Sequence, residues 1–199
     1  MTLLFTFVAS LLLGMRHATD PDHIVAVTTI VTRERAAARA ASVGVLWGVG
    51  HTLTILLVGG AIIGFKLAVS ARLGLSLEFA VAVMLVVLGV LNLFDVRATP
   101  GPLTTMRPVL VGVVHGLAGS AAATLLILPL IDDVRWAALY LAVFGAGTIV
   151  GMGLITLGLA IPSVYAAARL QRMQRTLRVA SGAVSLTFGL YLAHHIARG

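Results

Sequence analysis

Six apolar stretches of about 20 residues or more follow one another with only short polar linkers between them, at about 2–31, 41–66, 77–95, 108–131, 134–162 and 178–197. Each is long enough to cross a hydrocarbon core of ~30 Å. Lipid offers no partner for backbone N–H and C=O groups, so a spanning segment must satisfy its own, and a helix does this. The expectation is an all-α integral membrane protein with six transmembrane helices, a single transmembrane domain over 1–199. Composition agrees: 59% of residues are hydrophobic and 11% charged, against about 45–50% and 25% in soluble domains. The formal charge of +7 does not point to nucleic acid. The arginines sit in the linkers and form no aromatic-interleaved basic face.

Those arginines orient the chain instead. Arg33, Arg35, Arg39, Arg97, Arg107, Arg169, Arg172, Arg175 and Arg178 fall in alternate linkers, and the other side carries Lys66, Arg72, Arg135 and Arg198. The positive-inside tendency then places both termini outside the cytoplasm. The basic run 169–178 reads either as a short helix along the inner surface or as an ordinary loop. Met1 is followed by an apolar run without a basic n-region, so a removable signal peptide is not expected. A short multispan chain rich in Ala, Val and Arg fits a bacterial plasma membrane. There is no cysteine, which excludes thiol chemistry.

Inside the first stretch lies GMRHATDPDHI, residues 14–24. An ionised side chain at membrane depth costs roughly 2.5–3.5 kcal/mol on insertion scales, so such groups usually face a cavity and handle an ion. Pro21 removes a backbone donor and clashes with the preceding turn, which predicts a discontinuous or kinked first helix. His17, Asp22 and His23 form His-x4-Asp-His. On an ideal helix, positions five and six residues on are rotated by roughly 140° and 240°. Only an unwound stretch at Pro21 brings the three together. The competing reading is a polar kink in which Arg16 pairs Asp20 or Asp22. Imidazole with carboxylate suits a borderline divalent cation such as nickel, cobalt or zinc.

Other polar residues occur at similar depth. His51 lies in Trp47-Gly48-Val49-Gly50-His51-Thr52, between glycines that let helices approach closely. His51 is read as a ligand or a ligand's hydrogen-bond partner, with Thr52 beside it on the same pathway. His115 heads HGLAGSAAAT, where functional and packing roles stand open. Asn92 reads as an interhelical hydrogen-bond partner or a pathway residue. Asp132, Asp133, His194 and His195 lie near the outer side, as solvated groups or as a capture point for cations.

A weak internal repeat links the halves, about 1–98 and 107–199. Gly14-Met15-Arg16-His17 matches Gly112-Val113-Val114-His115 at an offset near 98, and Leu88-Gly89-Val90-Leu91 resembles Phe188-Gly189-Leu190-Tyr191 at an offset of 100. Three spans per half is an odd number, so the halves would be inverted, a recurring transporter design with interrupted helices at the midplane.

GMRHATDPDHI resembles the signature of the nickel/cobalt transporter family, whose hallmark is His-x4-Asp-His in a membrane helix. GVGHT is similar to that family's Gly-His-Ser/Thr motif, and HGLAGSAA resembles the compact six-span members related to urease-accessory nickel permeases. The resemblance implies passage of Ni²⁺ or Co²⁺ as substrate, with His17, Asp22, His23 and His51 as the metal residues. It implies no resident cofactor and no enzymatic activity. The chain has no His-rich loop of the kind found in related exporters, which favours uptake. It also has no Gly-x4-Gly-Lys-Ser/Thr loop for ATP. The coupling energy is then a gradient, the membrane potential or another subunit, with Asp20 or Asp22 as a carrier for a coupling proton. Two other readings compete: an exporter of small anions or amino acids with Arg16 facing its substrate, and a non-transporting membrane partner in metalloenzyme maturation.

Overall fold

The computed structural model describes residues 2–34, 36–65, 70–96, 102–117, 133–169 and 171–198. All regular structure among them is helical: α1 Thr2–His17, α2 Pro21–Val31, α3 Ala37–Phe65, α4 Ala71–Leu93, α5 Pro102–Leu117, α6 Val134–Arg169 and α7 Gln171–Arg198. Four of these contain stretches long and apolar enough to cross a membrane: Ala37–Ile62, Arg72–Leu93, Val134–Tyr165 and Arg172–Arg198. The helices α1, α2 and α5 are apolar but shorter. Most of the fourth predicted stretch, together with Lys66, Arg97 and Asp132, lies outside the described residues, as does Arg35.

The first stretch is broken, as Pro21 requires. Asp20 takes φ −59° and ψ 143°, the extended conformation that a following proline imposes. Pro21 occupies the first turn of α2, where its missing N–H is no loss. Between the helices, Thr19 N donates to Arg16 O at 2.8 Å and Asp20 N to His17 O at 3.1 Å. These three-residue turns tighten the end of α1 before the chain reverses its dihedrals. The basic run after α6 is not a separate surface helix or a loop. Residues from Gln171 onward are already the first turns of α7, which therefore starts earlier than the apolar stretch alone indicated.

The exterior is apolar and the interior holds the polar groups. Leu4, Phe5, Leu57, Ile161 and Tyr191 are exposed, whereas Ser10, Thr54, Asn92, Thr148, Thr156 and Ser185 are buried. A soluble protein exposing so many large apolar side chains would aggregate; a lipid-facing surface needs them.

Small residues set the helix contacts. Along α1 and α6, which run parallel, Phe7 meets Trp136 with ring centroids 5.9 Å apart and Ser10 Oγ donates to Tyr140 O at 2.9 Å. Gly14 then abuts the Phe144 carbonyl, and Gly147 abuts that of Leu11. The pair α3 and α5 also runs parallel, with Gly112 against the Trp47 carbonyl and Gly50 against that of Val109. At the centre α3 and α6 are antiparallel: Gly48 faces Ile149, Gly145 faces Thr52, and Thr52 Oγ1 donates to Gly145 O at 3.1 Å. The helices α4 and α7 cross antiparallel through Gly89 and Gly189, with Ser185 Oγ donating to Leu85 O at 2.8 Å.

At the far end of α2, Asn92 ties three helices together. Its amide donates to Thr29 O at 2.8 Å and Ser181 Oγ at 3.0 Å. Its carbonyl oxygen accepts Arg33 Nε at 2.7 Å, and Arg178 donates to its backbone oxygen. Asp95 lies 3.5 Å from the Arg178 guanidinium and 3.8 Å from that of Arg33. Asn92→Ala strands several of these buried groups, at about 1–3 kcal/mol for each unsatisfied one. A lowered thermal midpoint of the detergent-solubilised protein is the expected result.

Candidate metal centre

The break places His17 at the last position of α1 and Asp22 and His23 in the first turn of α2. His51 reaches the same point from the middle of α3, and His115 from the end of α5. The four imidazoles are between 0% and 7% exposed. The ring centroid of His23 lies 4.1 Å from that of His115, 4.7 Å from His17 and 5.1 Å from His51. Aromatic walls close the site: Trp47 stacks on His23 at 5.8 Å, and Phe144 lies 5.6 Å from His17.

Carboxylates hold two of the rings by Nδ1. Asp20 Oδ2 accepts His17 Nδ1 at 2.8 Å, and Asp22 Oδ1 accepts His23 Nδ1 at 3.2 Å. A carboxylate on Nδ1 fixes the tautomer that leaves the Nε2 lone pair available, the arrangement common behind metal-bound histidines. His17 Nε2 faces His51 Nε2 at 3.0 Å, near the separation of two adjacent ligands at ~2.0–2.1 Å from one cation. The other oxygen of Asp22 accepts His115 Nε2 at 2.9 Å.

Several polar atoms here have no hydrogen-bond partner. His23 Nε2, His51 Nδ1 and His115 Nδ1 are buried and unpaired, each at a cost of about 1–3 kcal/mol. Unpaired imidazole nitrogens gathered at one point are chemically suited to hold a cation. Ligand atoms of His17, His23 and His51 lie within 4.8 Å of one another, and so do those of Asp22, His23 and His115.

The sequence-predicted residues divide among four places. His17, Asp22, His23 and His51 gather at the break, and His115 joins them. Asp20 stands behind His17. Arg16 is exposed, and the two aspartates turn to histidines, so the kink is not held by Arg16. Thr52 serves the α3–α6 contact, and Asn92 belongs to the network at the far end of α2. His194 and His195 are exposed on the last turns of α7. Phe144-Gly145-Ala146-Gly147-Thr148 was missed by sequence reasoning, although its aromatic-Gly-x-Gly pattern repeats that of Trp47–Gly50. A cavity of about 290 Å³, lined in part by Thr29, Arg33, Glu34, Asn92 and Arg107, lies toward the other end of α2. Burial there raises the Glu34 carboxyl above its ordinary range, against the opposing pull of Arg39.

Comparison with known proteins bears on the family of the chain. The family NicO, described as "High-affinity nickel-transport protein", matches residues 3–101, which include the helix break and both histidine motifs of the first half. The "Urease accessory protein UreH" of Bacillus sp. (strain TB-90) is 33% identical over 202 residues, covering 92% of this chain and 88% of that protein. No solved structure matches the chain. The histidine signature at the broken helix and the likeness along nearly the whole length carry one conclusion: the chain belongs to the NicO family of nickel transporters.

Proposed function

We propose that this protein carries Ni²⁺, and Co²⁺ as a chemically similar second cargo, across the membrane in the direction of uptake. The observation that carries the reading is the convergence of His17, His23 and His51, three buried imidazoles from α1, α2 and α3, at a helix break. Nitrogen ligands favour these cations over Mg²⁺ and Ca²⁺. Asp22 contributes negative charge beside them, and Asp20 holds His17 in its ligating orientation. Buried, pre-oriented imidazoles suit the capture of a scarce ion.

The architecture we propose is six spans arranged as two inverted halves, α1–α4 and α5–α7. The helix contacts support it, because they recur in exchanged form. Gly14 against Phe144 corresponds to Gly112 against Trp47, and Leu11 against Gly147 to Val109 against Gly50. Gly89 meets Gly182 and Leu186, while Gly189 meets Ala82 and Val86. The antiparallel pairing of α3 with α6 and of α4 with α7 fits inversion. Rocking of one half against the other about a central site is the motion such folds use for alternating access. Both termini lie outside the cytoplasm in this reading, in a bacterial plasma membrane.

The test is the purified protein in liposomes containing a nickel-quenched dye. Quenching on addition of external Ni²⁺, absent from protein-free liposomes, is the expected result. No quenching under an imposed potential or pH gradient contradicts transport, and favours the accessory role that the relative's name attaches to that protein. Protons compete with metal for imidazole and carboxylate. The initial rate in the same assay should therefore fall as external pH is lowered from about 7 to 5, and a rate that rises contradicts neutral-histidine ligation.

A further inference from the structure

The histidines at the break form not one ligand set but two, and they share a residue. His17, His23 and His51 make up the first; Asp22, His23 and His115 make up the second. The first is drawn wholly from α1, α2 and α3. The second takes His115 from α5, whose backbone is fixed against α3 at Gly112 and Gly116. The two edges of the His23 ring differ accordingly. Nδ1 lies on the Asp22 side, where His115 gathers, and Nε2 is buried with no hydrogen-bond partner.

We propose that Asp22, His23 and His115 form a second metal position, and that the transported ion passes between the two positions by ligand exchange on His23. In that exchange the ring protons of His23 and His115 move from the nitrogens that face Asp22 to the unpaired ones opposite, so that no proton is gained or lost. The proposal rests on the transport reading above. A cation held too tightly in one closed cage does not leave it, and adjacent weaker sites make conduction possible. Here an ion leaving His17 and His51 meets the Asp22 carboxylate and His115 within a few ångströms, so it is never without protein ligands. Coulomb repulsion between two dications on one imidazole keeps occupancy to a single ion. His115 is the one member contributed from beyond α1–α3, and the close packing of α5 on α3 at Gly112 and Gly116 holds it beside Asp22. Asp22 and His115 then hold each other at 2.9 Å when the ion is elsewhere.

The experiment is Ni²⁺ titration calorimetry on the purified full chain in detergent, paired with uptake into liposomes. The variants are His17→Ala, His115→Ala, His115→Gln and His23→Ala. His115→Gln keeps an amide donor for Asp22 and similar bulk, and it guards against a misfolded alanine variant. Wild type should bind one Ni²⁺ per chain. His17→Ala and His115→Gln should each still bind one, weakened by about 10–100-fold, the range found when metal sites lose a supporting group. His23→Ala should lose binding, and all of the variants should transport at least about tenfold more slowly. Wild-type transport by both His115 variants overturns the second position. So does loss of binding in His17→Ala as complete as in His23→Ala, which means a single site. Wild-type protein that binds Ni²⁺ while either result holds leaves the transport reading standing. Wild-type protein that binds no Ni²⁺ overturns both.

Discussion

His23→Ala is expected to be the most damaging single change in the protein, lowering Ni²⁺ affinity by at least about 100-fold, or ~2.7 kcal/mol. The ring of His23 lies within 4.1–5.8 Å of His17, His51, His115 and Trp47, and among the described residues no other belongs to both candidate ligand sets. Truncation removes the imidazole shared by both candidate sets, opens a cavity beside Trp47 and strands Asp22 without one of its two donors. Asp20→Asn is the milder comparison. It leaves all four imidazoles in place and weakens only the carboxylate that orients His17, so about a 10–100-fold loss is expected. Equal losses for the two variants, measured by calorimetry on protein of matched monodispersity, contradict the central placement of His23.

The second large effect is on assembly of the helices. Gly14→Val and Gly112→Val each drive a branched side chain into a facing carbonyl, of Phe144 in one case and Trp47 in the other. Overpacking within a well-filled interior costs about 1–3 kcal/mol. Here the obstacle is backbone, which cannot rotate away, so the upper end of that range or more is expected. The two substitutions should do similar harm, because each occupies the same place in its own helix pair. Gly60→Ala and Gly158→Ala are the controls: nothing lies within 4 Å of a Cβ built at either position. Thermal unfolding in detergent separates the cases. Gly14→Val and Gly112→Val unfolding at the temperature of the controls contradicts the packing described.

Much of this was legible in the chain because lipid makes strong demands. Apolar run length marked the four helices long enough to cross a membrane, and Pro21 marked the break to within a residue of where Asp20 turns extended. The gathering of His17, Asp22 and His23 followed from the same proline, since a continuous helix scatters them. Other features depend on contacts between distant residues, which spacing does not encode. His115 lies 93 positions from Asp22, and its packing and functional readings could not be separated until the carboxylate was seen beside it. Asp20 was read as a proton carrier or a pathway residue, and its hold on His17 Nδ1 emerges only from the tight turn at 18–20. The start of α7 was misplaced because polarity was taken for a helix end. Arg172, Arg175 and Arg178 continue a helix beyond its apolar part, and helices do not stop where hydrophobicity does. Arg178 shows the reason in its bond to Asn92, which anchors that extension to α4.

Passage of nickel through the histidine break is tested most directly by accumulation of radioactive nickel in cells that lack their own nickel uptake, expressing wild type or His17→Ala at equal membrane levels. Accumulation above the empty vector with wild type, lost in His17→Ala, is the predicted result. Full accumulation in His17→Ala contradicts the site, and depletion below the empty-vector level contradicts the direction of transport.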